Sequence, residues 1–146
     1  MSEEVASPSG ALPREDKLRK RCEALLEPGE AIALEAEATV KLGYLSEFGS
    51  YRAYLTNLRL ICIRRSTPIL RPLLFWIPDL VIIALSSMQR VKLWKEFTRA
   101  WLVIETEGKR YSIRLGQGPY PMLRDNPETT QDWLSAIENA RAASGR

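Results

Sequence analysis

The sequence predicts a mainly β, α+β domain: a bent antiparallel sheet of seven strands, or partly open barrel, capped by a C-terminal helix and flanked by an N-terminal helix. Three observations predict it. Short apolar-rich segments separated by turn residues recur from residue 30 to residue 115, the spacing of a β-domain. Residues 51–65 carry Tyr, Leu, Ile and Cys on either side of a polar Thr56-Asn57 centre, which reads as two strands folded back through a turn that Asn tolerates. Finally, Trp133, Leu134, Ile137 and Ala140 fall on one stripe of a helix over residues 128–142. Seven antiparallel strands exceed what a small flat sheet manages without curling, so a helix plugging one open end is the economical arrangement.

Residues 1–13, with Ser, Pro, Gly and Glu and few large apolar groups, read as a mobile tail. Over residues 14–27 the apolar positions Leu18, Cys22, Leu25 and Leu26 sit at i, i+4, i+7 and i+8, one face of a helix that Pro28-Gly29 ends. That stripe is short and lacks aromatics, so it suits docking against the domain better than lying on a membrane. The domain proper then spans residues 28–143, with residues 144–146 a frayed end.

In residues 30–41, Ile32, Leu34, Ala36, Ala38 and Val40 alternate with Glu35, Glu37 and Thr39, a strand with one wet face. Residues 42–50, with two glycines, read as the loop into the hairpin. Downstream strands are expected at 81–85, 88–95, 100–106 and 110–115, the last two joined through Glu107-Gly108-Lys109. Residues 116–127 read as a loop.

The insert 66–80 fits no regular element, because Pro68, Pro72 and Pro78 interrupt it while Ile69, Leu70, Leu73, Leu74, Phe75, Trp76 and Ile77 make it strongly apolar. A membrane span is excluded: the 17 residues from 69 to 85 include Arg71, Asp79 and two prolines, short of the roughly 20 apolar residues needed. Three settings stay open for it: a bilayer interface, a second subunit or partner, and its own domain.

The 146 residues are enough for one domain with a core, and 45% hydrophobic with 27% charged residues is a globular composition. The first 30 residues have no apolar signal region, and two cysteines make no disulfide framework, so a reducing, cytosolic setting, with peripheral membrane attachment as an option, is the expectation. With no histidine, imidazole-based triads and metal sites are excluded. No acid pair, Gly-rich phosphate loop or Cys/Asp ligand spacing stands in for them, so neither an enzyme nor a cofactor is expected. Charge is segregated: residues 41–124 hold 14 basic and 5 acidic side chains, whereas residues 1–40 hold 5 and 9. Such segregation has two readings: a positive surface for phosphate-bearing partners, or Arg and Lys placed on the solvated faces of strands. Nucleic acid is disfavoured because the aromatics form no stacking ladder.

The wording resembles the pleckstrin-homology superfold, in its GRAM and bacterial PH-like branch. The resemblance covers residues 26–142. It rests on Leu26-Glu27-Pro28-Gly29-Glu30, on Tyr54-Leu55-Thr56-Asn57-Leu58-Arg59-Leu60-Ile61, on Ala84-Leu85-Ser86-Ser87-Met88, on Glu107-Gly108-Lys109-Arg110-Tyr111 and on Trp133. Members of this superfold bind lipid headgroups, bind peptides or assemble with themselves. The lipid signature implies a Lys late in the first strand and two alternating bases early in the second. Lys41 and Arg52 match two of these places, and Tyr54 stands where the third is expected.

The functional expectation is therefore a non-catalytic module that meets anionic phospholipid at a membrane surface. Lys41, Arg52, Arg64, Arg65 and Arg71 are the candidate headgroup contacts, and Leu73, Leu74, Phe75 and Trp76 the candidate membrane or partner contact. The alternative is a protein-interaction or homodimerisation domain that uses the same apolar insert.

Overall fold

In a computed structural model, residues 11–42, 48–65, 79–96, 99–117, 124–125 and 127–144 are described. Helix α1 is Ala11–Leu25, followed by strands β1 (Ile32–Leu42), β2 (Phe48–Thr56), β3 (Arg59–Arg64), β4 (Leu80–Ala84), β5 (Arg90–Glu96), β6 (Arg99–Thr106) and β7 (Lys109–Gln117). A two-residue strand β8 (Arg124–Asp125) precedes helix α2 (Pro127–Ser144). The strands form one antiparallel sheet in the order β4-β3-β2-β1-β7-β6-β5, with β8 alongside β7. Among the described residues no pairing joins β4 to β5, so the sheet bends without closing.

The alternation expected from the sequence sets the faces. Ala36, Ala38 and Val40 of β1, Tyr51, Ala53 and Leu55 of β2, Leu102 and Ile104 of β6, and Ile113 and Leu115 of β7 point to the inner side. There they meet Trp133 and Ile137 of α2, which are 2% and 0% exposed. Trp133 is the core plug of the C-terminal helix, and Arg141 fastens the helix further by donating from Nη2 to the Met88 carbonyl at 2.9 Å.

Helix α1 packs on the other side of the sheet. Leu18 and Cys22 bury against Tyr54, Ile61 and Ile63 in a second, smaller apolar cluster, with Leu26 and Ile32 at its margin. Leu25, expected on the packed stripe, is 37% exposed. The helix begins at Ala11, three residues earlier than the periodicity indicates, because Ala11, Leu12 and an early Pro13 are compatible with a first turn. Residues 1–10 of the expected tail lie outside the described residues. Strand β2 likewise starts at Phe48, inside the stretch expected to be loop.

The stop after α1 is built from a turn whose geometry the sequence specifies. Glu30 N donates to Glu27 O at 2.9 Å across Pro28-Gly29, and Gly29 has φ +84°. Pro second and a positive-φ Gly third is the pattern of a type II turn. At the opposite end of the sheet Gly108, with φ +76°, closes the two-residue turn between the paired Thr106 and Lys109.

The outer face of β1 departs from expectation. Glu37 and Thr39 were expected to be wet, yet they are 6% and 0% exposed. Glu37 tolerates burial because cations surround it: Arg52 Nη1 lies 2.8 Å from Oε2, Arg65 Nε lies 2.8 Å from Oε1, and Arg65 Nη2 also reaches Oε2. A buried charge requires such pairing.

Candidate functional site

The register brings the loop-end cations together. Strands β1 and β7 pair so that Lys41 faces Ser112 and Leu42 faces Tyr111, which sets the β6–β7 hairpin, with exposed Lys109 and Arg110, beside the end of β1. Arg64 ends β3 opposite Tyr51 of β2, and the connection from β3 to β4 leaves from there. The β1–β2, β3–β4 and β6–β7 connections therefore share one end of the sheet.

Of the candidate headgroup contacts, Lys41 is half-buried and its ammonium lies 5.9 Å from the centre of the Trp101 ring. Arg52 and Arg65 are held on Glu37, with side-chain exposures of 16% and 14%, and Arg52 also pairs with Glu35 at 3.4 Å. Arg64 sits 5% exposed with Nη2 at 2.8 Å from Asp79. Arg52, Arg64 and Arg65 thus spend their charge on carboxylates of the same chain, a role their positions in the strands did not reveal. Tyr54, at the third place of the lipid signature, lies under α1, where burial pushes its hydroxyl up to about 12. Arg71, Leu73, Leu74, Phe75 and Trp76 lie outside the described residues.

The outer face of the β1-β7-β6-β5 half is a site that the sequence reading passed over. Pairings place Thr39, Arg114, Trp101 and Trp94 in one row across four strands, and Lys41, Ser112, Val103 and Lys92 in the next. Arg110, Glu105 and Arg90 form the row nearest the hairpin. Lys41, Trp94, Trp101, Val103, Arg110 and Ser112 line a cleft of about 130 Å³. Arg114 also lies over the Trp101 ring, 5.8 Å from its centre. The electron-rich face of an indole attracts such cations. The alternation of β5, read one strand at a time, showed mixed faces; only the register across strands shows that its cations join those of β7.

The most specific sequence motif proves structural. Thr56, Asn57 and Arg59 of the β2–β3 turn converge on the turn that follows α1. Glu30, whose side chain is 0% exposed, accepts from Arg59 Nε and Nη2 at 3.0 and 2.8 Å and from Thr56 Oγ1 at 2.5 Å. Asn57 Oδ1 accepts from Ala31 N at 2.9 Å, while its Nδ2 donates to Gly29 O at 3.2 Å. Arg59 Nη2 also donates to the Leu25 carbonyl at 2.6 Å, capping α1. The Arg59 bonds, aided by Thr56 and the Glu27 amide, hold the Glu30 carboxyl down at about 2 despite the opposing effect of burial.

Both thiols are buried and free. Burial raises them, Cys22 to about 11 and Cys62 to about 12. Among the described residues no group of three or more His, Cys, Asp or Glu side chains could hold a metal ion. Nor is any described helix long and apolar enough to cross a membrane.

The chain is similar in structure to the hSac2 domain of the human phosphoinositide phosphatase Sac2. That likeness has a TM-score of 0.59 at 12% identity, over 96% of this chain and 87% of that one. The DH/PH domains of p115-RhoGEF match with a TM-score of 0.53 at 11% identity, over 94% of this chain and 34% of theirs. Those of PDZ-RhoGEF, in complex with activated RhoA, match at 0.53 and 8%, over 95% and 34%. The fold is pleckstrin-homology-like. The PH-like domain spans about a third of each exchange-factor chain. No family model matches the sequence, and no curated relative does. At these identities the likeness speaks for the PH-like fold alone.

Proposed function

We propose that this PH-like domain is a non-catalytic module that attaches to anionic lipid headgroups at a membrane surface. The observation that carries the reading is the gathering of Lys41, Lys109 and Arg110 at the sheet end shared by the β1–β2, β3–β4 and β6–β7 connections. Arg71 and the apolar Leu73, Leu74, Phe75 and Trp76 belong to the β3–β4 connection that leaves this end. Arg52, Arg64 and Arg65 shape the end through Glu37 and Asp79 and add little free charge, so the headgroup contacts are Lys41, Lys109, Arg110 and Arg71. The GRAM branch and peripheral attachment from a cytosolic setting belong to the same proposal. The likeness to hSac2, a domain from a phosphoinositide phosphatase, is compatible with it.

Each cation near an anionic surface contributes about 1 kcal/mol, so several together suffice without a shaped pocket. Co-sedimentation with phosphatidylserine/phosphatidylcholine vesicles, against phosphatidylcholine alone, tests the reading. Binding that needs the anionic lipid and weakens with salt is expected, and a Lys41→Ala/Lys109→Ala/Arg110→Ala variant should lose most of it.

A second reading, contact with a protein or a second copy through the 66–80 insert, is favoured by Leu80 and Ile82. They are 38% and 40% exposed on β4, an end strand of the sheet order with no charged or Pro residue of its own. Unguarded apolar edges of this kind invite pairing. Light scattering of the wild type and of a Phe75→Asp/Trp76→Asp variant separates the two: a dimer that the variant dissolves supports the contact reading.

A further inference from the structure

We infer that the exposed margin of the outer face of the β1-β7-β6-β5 half, β5 with the β6–β7 hairpin, is itself a membrane-docking surface, with Trp94 as the residue that enters the lipid interface. This deepens the headgroup reading above and rests on it, since it states how the domain lies on the bilayer.

Three observations converge. Trp94 is 51% exposed, more than any other large apolar side chain among the described residues, and it stands directly across from Trp101, which is 8% exposed. A half-wet indole next to a buried one is an amphipathic anchor, the arrangement that favours the boundary between headgroups and acyl chains. The second observation is charge. The accessible and half-buried cations of these rows are Lys41, Arg90, Lys92 and Arg110, and their pairings include one carboxylate, Glu105. Such an excess complements an anionic bilayer and no neutral one. The third is placement. Helix α2 packs against β5, β6 and β7 from the inner side, and α1 sits over β3. Neither described helix lies on this face. Thr39, Val103, Trp101 and Arg114 at its centre are nonetheless at most 8% exposed, so its accessible part is the margin carrying Trp94, Arg90, Lys92 and Arg110.

The cleft beside Trp94 then has a definite part. Lys41, Arg110 and Ser112 line it together with Trp94, so the phosphate of a lipid whose chain lies along Trp94 meets two cations and a hydroxyl. Trp101 keeps Lys41 poised there by the contact between its ring and the ammonium.

The experiment uses the full chain, phosphatidylserine vesicles carrying brominated phosphatidylcholine, and tryptophan fluorescence. In the wild type the bromines should quench part of the emission on binding. In Trp94→Leu, which leaves the core untouched, that quenching should vanish, while sedimentation with the vesicles weakens but persists. Lys92→Ala should lower vesicle affinity about fivefold, the equivalent of about 1 kcal/mol per cation. Vesicle binding with quenching that survives in Trp94→Leu overturns the inference and leaves the headgroup reading standing, with Trp76 as the anchor. Retention on polyglutamate with none on vesicles overturns both, and makes the face a site for acidic protein instead.

Discussion

Arg59 grips both oxygens of the Glu30 carboxylate, with Nε 3.0 Å from Oε2 and Nη2 2.8 Å from Oε1. Two-pronged pairing of this kind is the strong form of the charged hydrogen bond. It ties the β2–β3 turn to the turn after α1, elements about 30 positions apart in sequence, and it explains why the Thr-Asn-x-Arg and Pro-Gly-Glu motifs occur together.

That pair fixes how stability depends on acid. The Glu30 carboxyl lies near 2 in the folded chain against an ordinary value of 4.5. As pH falls below about 4.5 the unfolded chain takes up the proton first, so the contribution of Glu30 is complete above that value and lost on the way down to about 2. A shift of this size corresponds to roughly 3 kcal/mol. Urea titrations from pH 6 to pH 2 should show stability falling over this window, and Glu30→Gln should flatten the fall.

Removing the arginine alone should be worse than removing both partners. Arg59→Ala leaves a buried carboxylate without its main partner, at a cost of about 3–5 kcal/mol. Arg59→Met with Glu30→Gln should recover part of it. A double-mutant cycle by chemical denaturation measures the coupling; a value near zero would mean that Arg59 acts only through its Leu25 contact.

In the main core, Trp133→Ala should cost about 3–5 kcal/mol, because the plug of α2 is removed and the strands around it cannot collapse fully. Thermal unfolding followed by circular dichroism checks it, and Trp94→Ala, at an exposed site, should change stability by less than about 0.5 kcal/mol in the same assay.

The thiols should be silent in the native state. Cys22 on the packed face of α1 and Cys62 in the sheet are both 0% exposed, and both are raised well above pH 8. Thiolate is the reactive form, so a chromogenic disulfide reagent should label neither within minutes at pH 8 and both after denaturation. Prompt labelling of Cys22 alone would show that α1 detaches.

Much of the fold was legible because alternation is a local signal: the inward residues of β1 and β7 and the plug Trp133 can be read one segment at a time, whereas β6, buried from Ala100 to Ile104, shows no such contrast. The signal weakened at the ends, where Ala11 and Phe48 already belong to elements, and it failed for β8, since Arg124-Asp125 is too short to show a period. The candidate site was less legible. Arg52, Arg64 and Arg65 were recognisable as cations, but their partners Glu37 and Asp79 are 15 or more positions away, and only strand register decides that they meet. The same register joined Lys41, already a candidate in the sequence, to Lys92, Arg110 and Trp94, which carry no signal apart from one another.

The most direct test of membrane attachment is the salt dependence of binding to phosphatidylserine vesicles. The expected result is binding that requires the anionic lipid, falls as salt rises, and drops sharply in the Lys41→Ala/Lys109→Ala/Arg110→Ala variant. Equal indifference to neutral and anionic vesicles at low salt, in a folded protein, would contradict it.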